Sequence, residues 1–220
     1  MPTSTTEITD PLRECSRCPR LVRYRNDNRA AFPDWHNAPV PSFADSEAWL
    51  LVVGLAPGLK GANRTGRPFT GDFAGELLYS TLVRFGLAHG HYQARADDGL
   101  RLTGCRITNA VRCVPPENRP NPTEVAQCRP FLTAEISALP HLRVIVALGA
   151  ISHQAVLAAV GARKSTAPFR HGARYTLPGD IQLLDSYHCS RLNTNTGRLT
   201  ESMFHEVFAS AVTVGPEHHP

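Results

Sequence analysis

The chain has 220 residues, of which 42% are hydrophobic and 19% are charged, and this composition is typical of a globular protein rather than a disordered or fibrous one. The longest apolar run, around residues 48–56, is broken by Gly54, and the polar start MPTSTTEITD lacks the apolar segment of a secretory signal. These features argue against a membrane protein and against export, so we expect a cytoplasmic protein. The net charge of +4 permits a polyanionic partner without requiring one.

Helical and strand-like segments alternate along the chain. The polar ends, residues 1–10 and 214–220, are expected to be flexible, a short helix limited by Pro19 is expected over residues 11–24, and the proline-rich residues 32–46 predict an irregular loop. Short apolar runs predict four buried strands, at Trp49–Val53, Arg106–Val111, Arg143–Leu148 and Ile181–Ser186. Helical periodicity predicts four longer helices, at Gly75–Phe85, Thr123–Leu139, Ala150–Val160 and Thr200–Val212. Thr123 and Thr200, each followed by a glutamate, are typical of helix N-termini.

This alternation predicts an α/β fold, a three-layer αβα sandwich around a central, mainly parallel four-stranded sheet. The length suits a single domain over residues 1–220, with an ordered core over residues 12–212. In such folds the ligand site lies beyond the carboxyl ends of the strands, so the segments that follow each strand are the candidates for function.

Six cysteines are present, two of them as a C-x-x-C pair near the start and two others on either side of a proline-rich loop. We hypothesise that one iron–sulfur cluster is bound by Cys15, Cys18, Cys113 and Cys128. The spacing alone leaves a zinc site or no metal open, because four thiolates also bind zinc. Cys105 and Cys189 lie in strand or strand-end segments and are predicted to be buried thiols.

The segment after the first strand, residues 54–72, is rich in glycine but matches neither the P-loop nor the G-x-G-x-x-G spacing. Its glycines allow close approach of a ligand to the backbone, and Arg64 and Arg67 supply positive charge. Phe69 supplies a flat stacking face and Asp72 a carboxylate. An ordinary turn-rich loop could contain the same residues.

Single polar side chains follow the second and fourth strands. The amide of Asn109 carries both a donor and an acceptor and can pair with the edge of a pyrimidine, and His188 can donate to an anionic oxygen. Taken alone, each of the two residues is more often structural than functional. Together with the first loop they are a stronger signal, since one fold brings all three strand ends to the same edge.

The residues in these segments resemble the uracil-DNA glycosylase superfamily, and most closely its family 5, the iron–sulfur type. The matching stretches are GLAPG at 54–58, NRTGRPFTGD at 63–72, TNAVRC at 108–113 and YHCSRLNTNTGRLT at 187–200. The resemblance covers residues 12–212 and includes the arrangement of four cysteines. It implies a 4Fe–4S cluster in preference to zinc, and a protein that binds a flipped-out damaged base in double-stranded DNA. Single-stranded DNA is a further expected partner, and we expect a nucleoid-associated monomer, since nothing in the sequence requires a larger assembly.

The activity that the resemblance implies is hydrolysis of the N-glycosidic bond of uracil, and of other deaminated bases such as hypoxanthine, after the base flips out of the duplex. The product is an abasic site, and no lyase step is expected because neither Lys60 nor Lys164 is in a nucleophile position. Two alternatives stay open: a non-catalytic nucleic-acid-binding module with a structural zinc, and a related mismatch glycosylase that prefers thymine.

The resemblance also implies a role for each candidate residue. Phe69 stacks on the flipped base, Asn109 binds its pairing edge, and His188 hydrogen-bonds the pyrimidine O2 as negative charge builds there. Asp72 positions water or stabilises the oxocarbenium-like sugar, since Leu55 and Ala56 of the first motif cannot do so. Substrate binding is assigned to Phe69, Gly54, Ala56, Gly58 and Ser190. DNA binding is assigned to Arg64, Arg67, Arg191 and Leu192, with Arg191 or Leu192 filling the vacated stack.

Two further expectations concern the loops. The cluster is expected to act structurally, by tying the N-terminal segment to the Cys113–Cys128 loop and setting Arg112 and Arg119 near phosphates. Cys189 stands where the family's His-Pro-Ser motif often has proline, which puts the rigidity of the last loop in doubt.

Overall fold

The structure, a computed structural model, describes residues 10–45 and 47–216. The strands in these residues are β1 (Phe43–Ala44), β2 (Leu50–Gly54), β3 (Ala88–His89), β4 (Arg101–Leu102), β5 (Cys105–Asn109), β6 (Val144–Leu148), β7 (Arg174–Thr176) and β8 (Gln182–Ser186). The α-helices are α1 (Pro19–Ala31), α2 (Ala62–Thr65), α3 (Phe73–Arg84), α4 (Pro122–Ala138), α5 (Ala150–Ala159), α6 (Arg191–Asn195) and α7 (Glu201–Val212).

The four predicted apolar runs form the parallel centre of the sheet, in the order β5-β2-β6-β8. Every residue of β2, β5 and β6 is buried, which explains why β2 and β6 appear as apolar runs without alternation, whereas β5 (Cys-Arg-Ile-Thr-Asn) also buries polar side chains. Along β2, Leu50 and Val52 pack on one face and Leu51 and Val53 on the other. The α/β fold with a mainly parallel sheet is thereby confirmed.

Helices cover both faces of the sheet. On one face α3 and α7 contribute Leu78 and Phe204 to the core, and on the other face α4 and α5 contribute Leu132 and Val156. This is the predicted three-layer αβα arrangement, and it leaves the carboxyl ends of the parallel strands free at one edge.

The strand count is a correction, because in the described residues the sheet has six strands rather than four, in the order β1-β5-β2-β6-β8-β7. β1 and β7 are two and three residues long and pair antiparallel at the edges, and β3 and β4 form a separate two-stranded ribbon. Segments this short contain no apolar run that a sequence pattern could detect. They form strands because they pair with the neighbouring strand. β1 also interrupts the irregular loop that the sequence predicts over residues 32–46.

Two helix starts differ from the sequence prediction. The helix predicted over residues 11–24 begins only at Pro19, because proline is favoured in the first turn, where its missing N–H needs no partner. α4 is capped by Asn121 and not by Thr123: Asn121 Oδ1 accepts from Glu124 N at 2.9 Å, and Glu124 Oε2 accepts from Asn121 N at 2.8 Å. Thr200 caps α7 as predicted, accepting from Met203 N at 3.2 Å.

The chain ends predicted to be flexible lie mostly outside the described residues. Asp10, which is described, accepts a hydrogen bond from Arg112 Nη1 at 2.7 Å. Within the part of the chain that the structure describes, no helix has the length and apolar character needed to cross a membrane.

Candidate active site

A cleft of about 520 Å³ opens at the carboxyl edge of the sheet. Its walls bring together Phe69, Asp72, Asn109 and His188, which come from the loops or strand ends of β2, β5 and β8. The parallel topology is the reason, since it places the ends of these strands side by side. The residues singled out in three distant segments therefore share one cavity.

Gly54 lies against both the Phe69 ring and the Asn109 amide. It is the last residue of β2 and pairs in register with Asn109 at the end of β5. A Cβ built on Gly54 would overlap Asn109 Oδ1 and lie 2.5 Å from Phe69 Cζ. Only a residue without a side chain lets the ring and the amide lie over the strand end together.

The Asn109 amide is available to a ligand. Asn109 is 3% exposed and lines the cleft, yet none of the described residues hydrogen-bonds its side-chain amide. The amide nitrogen and oxygen retain some contact with solvent. Phe69 is 6% exposed and also contributes to the cleft wall. The two side chains thus present one planar amide and one aromatic ring to the same space.

His188 lies beside the Phe69 ring, with the ring centroids 5.9 Å apart and the planes 26° from parallel. Burial lowers the pKa of the imidazole to about 4, so the ring is neutral near pH 7 and has one N–H donor. The backbone at this position is fixed, because Asn193 Nδ2 donates to His188 O at 2.8 Å. A neutral imidazole in this place can donate a hydrogen bond to an oxygen that gains negative charge.

Asp72 combines a structural and a chemical position. It is the N-cap of α3, and its Oδ1 accepts from Gly75 N at 3.3 Å. Its other oxygen, Oδ2, faces Gly58 and Gly61, and a Cβ on Gly58 would lie 3.0 Å from it. Burial raises the pKa of Asp72, which makes the carboxylate a better proton acceptor than a solvated aspartate.

The loop after β8 presents different side chains to the cleft. Ser190 caps α6, accepting from Asn193 N at 3.5 Å, and Arg191 stacks over the Phe73 ring at 5.2 Å. Leu192 is 72% exposed at the cleft rim. The rigidity that a proline would give is supplied differently, since Cys189 is fully buried and its Sγ donates to Ala74 O at 3.4 Å.

The prediction that Arg67 contacts DNA is wrong. Arg67 is 4% exposed, and its guanidinium donates to both Asp98 oxygens at 2.7 Å, so it is held inside the protein. Arg112, expected near phosphates, is also buried, and it pairs with Asp10 and Glu135. Arg119 lines the cleft, whereas Arg64 is exposed on a separate, shallower pocket.

The four cysteines of the hypothesised cluster all line one small cavity of about 20 Å³, which lies between the start of α1 and α4. They are free thiols, and burial raises the pKa of Cys18 to about 11 and that of Cys113 to about 12. Arg112 N donates to Cys128 Sγ at 3.4 Å. Among the described residues, no three His, Cys, Asp or Glu side chains form a group that could hold a single metal ion. Cys105 and Cys189 are buried elsewhere, as predicted.

Sequence reasoning missed several residues of the cleft. Glu117 and Asn118 line it, and both have a φ of 56°, in the left-handed region that few non-glycine residues adopt. The proline-rich segment around them was the available signal, but it indicated only a stiff loop. Phe73 and Ala74 enter the cleft wall because Asp72 starts α3 at this point.

Comparison with known proteins identifies relatives over almost the whole chain. A family model described as the uracil DNA glycosylase superfamily matches residues 41–211. The type-5 uracil-DNA glycosylase of Thermus thermophilus is 52% identical over 206 residues, covering 91% of this chain and 93% of that protein. The type-5 uracil-DNA glycosylase of Pyrobaculum aerophilum is 42% identical over 209 residues, covering 93% and 91%. A type-4 uracil-DNA glycosylase of the same organism is 35% identical over 158 residues, covering 71% and 66%.

Proposed function

The chain belongs to the uracil DNA glycosylase superfamily and, within it, to the type-5 uracil-DNA glycosylases, and from this premise we propose that it hydrolyses the N-glycosidic bond of uracil in DNA. The observation that carries the proposal is the convergence of Phe69, Asn109, His188 and Asp72 on one cleft. The proposal makes the protein a monomeric repair enzyme that leaves an abasic site.

The glycosidic bond of a stacked base is inaccessible, so the nucleotide must leave the duplex before it can enter the cleft. Leu192 is suited to fill the gap in the stack, because its apolar side chain already projects into solvent at the cleft rim. Arg191 is held over Phe73 and is better placed to bind a phosphate. We therefore assign the wedge to Leu192.

Within the cleft, Phe69 supports the face of the base and the Asn109 amide pairs with its edge. An amide that offers N–H to one carbonyl and O to the ring N–H complements the pairing edge of uracil. Of the first motif, Leu55, Ala56, Pro57 and Gly58 line the cleft, and none of these side chains can hydrogen-bond a base, so the motif discriminates little between bases.

Bond cleavage leaves the electron pair of the C1′–N1 bond on the base and positive charge on the sugar. His188 is neutral, so it donates a hydrogen bond to O2 of the departing pyrimidine and keeps its own proton. Asp72 acts on the sugar: its carboxylate stabilises the positive charge there and orients the water that attacks C1′. The raised pKa of Asp72 helps it accept the proton of that water.

We propose that hypoxanthine is a second substrate, because the first motif has no side chain that hydrogen-bonds, and so selects, one base. No lyase step is expected, since Lys60 and Lys164 do not line the described cleft and Lys164 Nζ instead donates to Gln154 Oε1.

A panel of duplexes that each carry one uracil, hypoxanthine or mismatched thymine, cleaved by alkali after incubation, tests the assignment. Release of uracil supports it, failure on hypoxanthine alone removes the second substrate, and release of thymine alone favours the mismatch alternative.

We expect Asp72→Asn and His188→Ala each to slow uracil release by about 10²- to 10³-fold, because each removes charge stabilisation that matters only in the transition state. The affinity of both variants for uracil-containing duplex should change little. The pKa of His188 is about 4, so His188 is not protonated near pH 7 and the wild-type rate should not depend on its titration there. Single-turnover kinetics and a binding assay on the same duplex measure both quantities. A loss of binding as large as the loss of rate contradicts the assignment.

We also propose that Cys15, Cys18, Cys113 and Cys128 hold a 4Fe–4S cluster. The support is that the four sulfurs line one cavity with apolar neighbours, and that a backbone N–H already donates to Cys128 Sγ. The four cysteines come from distant parts of the chain and meet only when it is folded, so cluster binding would be coupled to folding and would release the thiol protons. When bound, the cluster supplies four iron–thiolate bonds that join the segment before α1 to the segments around β5 and α4.

Cys15→Ser should therefore lower iron content and thermal stability together, because one of the four cross-links is lost. Metal analysis, visible absorbance and thermal unfolding of the purified variant measure this. Cys105→Ala is the matched control, since it removes a buried thiol far from the cavity and should keep the iron. Unchanged stability without metal, or colourless wild-type protein with stoichiometric zinc, would contradict the cluster.

A further inference from the structure

The ribbon β3–β4 and its connecting loop, residues 88–102, lie outside the main sheet and do not line the described cleft. We call this segment the brace. It carries Tyr92 and Asp98, which reach back to the loop that holds Phe69. Ala88 and Leu100 of the brace pack into the core, but the chemistry derived above uses none of its side chains.

The backbone of Phe69 is in an unfavourable conformation. Its φ is +54°, in the left-handed region that a bulky aromatic residue rarely adopts, so the surroundings must hold it there. Its carbonyl oxygen lies so close to Gly75 that a Cβ on Gly75 would overlap it. Without such constraints the peptide would relax and carry the ring away from the cleft.

One hydroxyl group contacts both the Phe69 carbonyl and the Gly71 amide of this turn, whose adjacent carbonyls, of Pro68 and Thr70, accept from Tyr79 OH at 2.6 Å and Thr65 Oγ1 at 3.0 Å. Tyr92 OH donates to Phe69 O at 3.2 Å and accepts from Gly71 N at 3.1 Å, so it bridges the peptides on either side of Thr70. Burial raises the pKa of Tyr92, which keeps the hydroxyl protonated and able to donate.

The Tyr92 ring is itself held in place. It stacks on Tyr79 with centroids 4.6 Å apart, and the Arg67 guanidinium lies over both rings, 5.2 Å from the centroid of Tyr79 and 5.9 Å from that of Tyr92. Asp98 of the brace fixes Arg67 through two bonds of 2.7 Å. This explains why Arg67 is buried: it joins the brace to the loop rather than the protein to DNA.

We propose that Tyr92 is a positioning residue for base excision, whose hydroxyl holds the Phe69 turn in the conformation that presents the ring to the flipped base. The role rests on the proposed function, since the base is the one assigned to the Phe69 face. Tyr92 does not line the described cleft, so it acts through Phe69 and not on the substrate.

The first test is Tyr92→Phe, which keeps the stacked ring and removes the bridging hydroxyl. Single-turnover uracil release should fall about 10- to 100-fold, as expected for a displaced catalytic group, while duplex affinity stays unchanged. Tyr175→Phe removes a hydroxyl bonded to Pro168 O, outside the brace and the cleft, and should leave the rate unaltered. An unaltered rate in Tyr92→Phe overturns the proposal.

A double-mutant cycle separates positioning from loss of stability. In a Phe69→Ala background the Tyr92→Phe change should have little further effect on rate, because the ring that the hydroxyl positions is gone. Full additivity of the two effects would mean that Tyr92 acts by another route, and would overturn the proposal.

A readout without activity keeps this test independent of the proposed function. With 4-fluorophenylalanine incorporated at position 69, the fluorine resonance should shift or split in Tyr92→Phe and stay in place in Tyr175→Phe. If wild-type protein releases no uracil but the resonance moves, the function fails and the positioning contact stands. If uracil is released and the resonance does not move, the positioning role fails alone.

Discussion

Gly54→Ala should remove most of the base-excision activity. The added Cβ would overlap Asn109 Oδ1 and lie 2.5 Å from Phe69 Cζ, so the amide and the ring must both leave the positions from which they would contact the base. A displacement of about 1 Å in such a site lowers the rate by about 10²-fold. Single-turnover release from a uracil duplex measures the loss, and duplex affinity should fall much less than the rate.

Overpacking also lowers the free energy of unfolding, by about 1–3 kcal/mol, so the rate needs a stability-matched control. Val53→Ala provides one: the residue precedes Gly54 in β2 but faces the core of α4 and α5, away from the cleft. It should be destabilised without losing excision at a temperature well below its unfolding midpoint. Equal losses of rate in both variants would show that Gly54 matters only for folding.

The central strands of the sheet could be predicted because a strand that is buried on both faces has an apolar sequence, which can be identified in each strand separately. β2 and β6 are runs of aliphatic residues and small ones, and no partner is needed to identify them. The edge strands could not be found in this way. β7 has the sequence Arg-Tyr-Thr and is ordered by its pairing with β8, which is information from another part of the chain.

In the site, too, residues that follow a predicted strand could be identified from the sequence, and residues whose role depends on a distant partner could not. Phe69, Asn109 and His188 were predictable because strand ends of a parallel sheet converge, and the structure brings them to one cleft. Arg67 was misassigned because a buried guanidinium and a DNA-binding one look alike in sequence, and its partner Asp98 is 31 residues away. Tyr92 gave no signal, since its importance depends on the unfavourable φ of Phe69.

Glu135→Gln should strongly destabilise the fold. Glu135 on α4 is fully buried and bonds Arg106 Nε, Arg112 Nη2 at 2.5 Å and Ser42 Oγ at 2.5 Å. The amide keeps the shape but removes the charge, which leaves two buried guanidinium groups with too little compensation. Breaking a buried ion pair from one side costs about 3–5 kcal/mol, and urea unfolding measures it.

The same carboxylate makes a pH dependence that identifies its charge as the cause. The two arginines hold the pKa of Glu135 below its ordinary value despite burial. A depressed pKa in the folded state gives stability that is present above the unfolded pKa and lost as pH falls through the folded one. The difference in unfolding free energy between wild type and Glu135→Gln should therefore shrink on acidification. Asp97→Asn, which breaks the exposed Arg95–Asp97 pair, should change stability little at any pH, and a constant difference for Glu135→Gln would point to packing rather than charge.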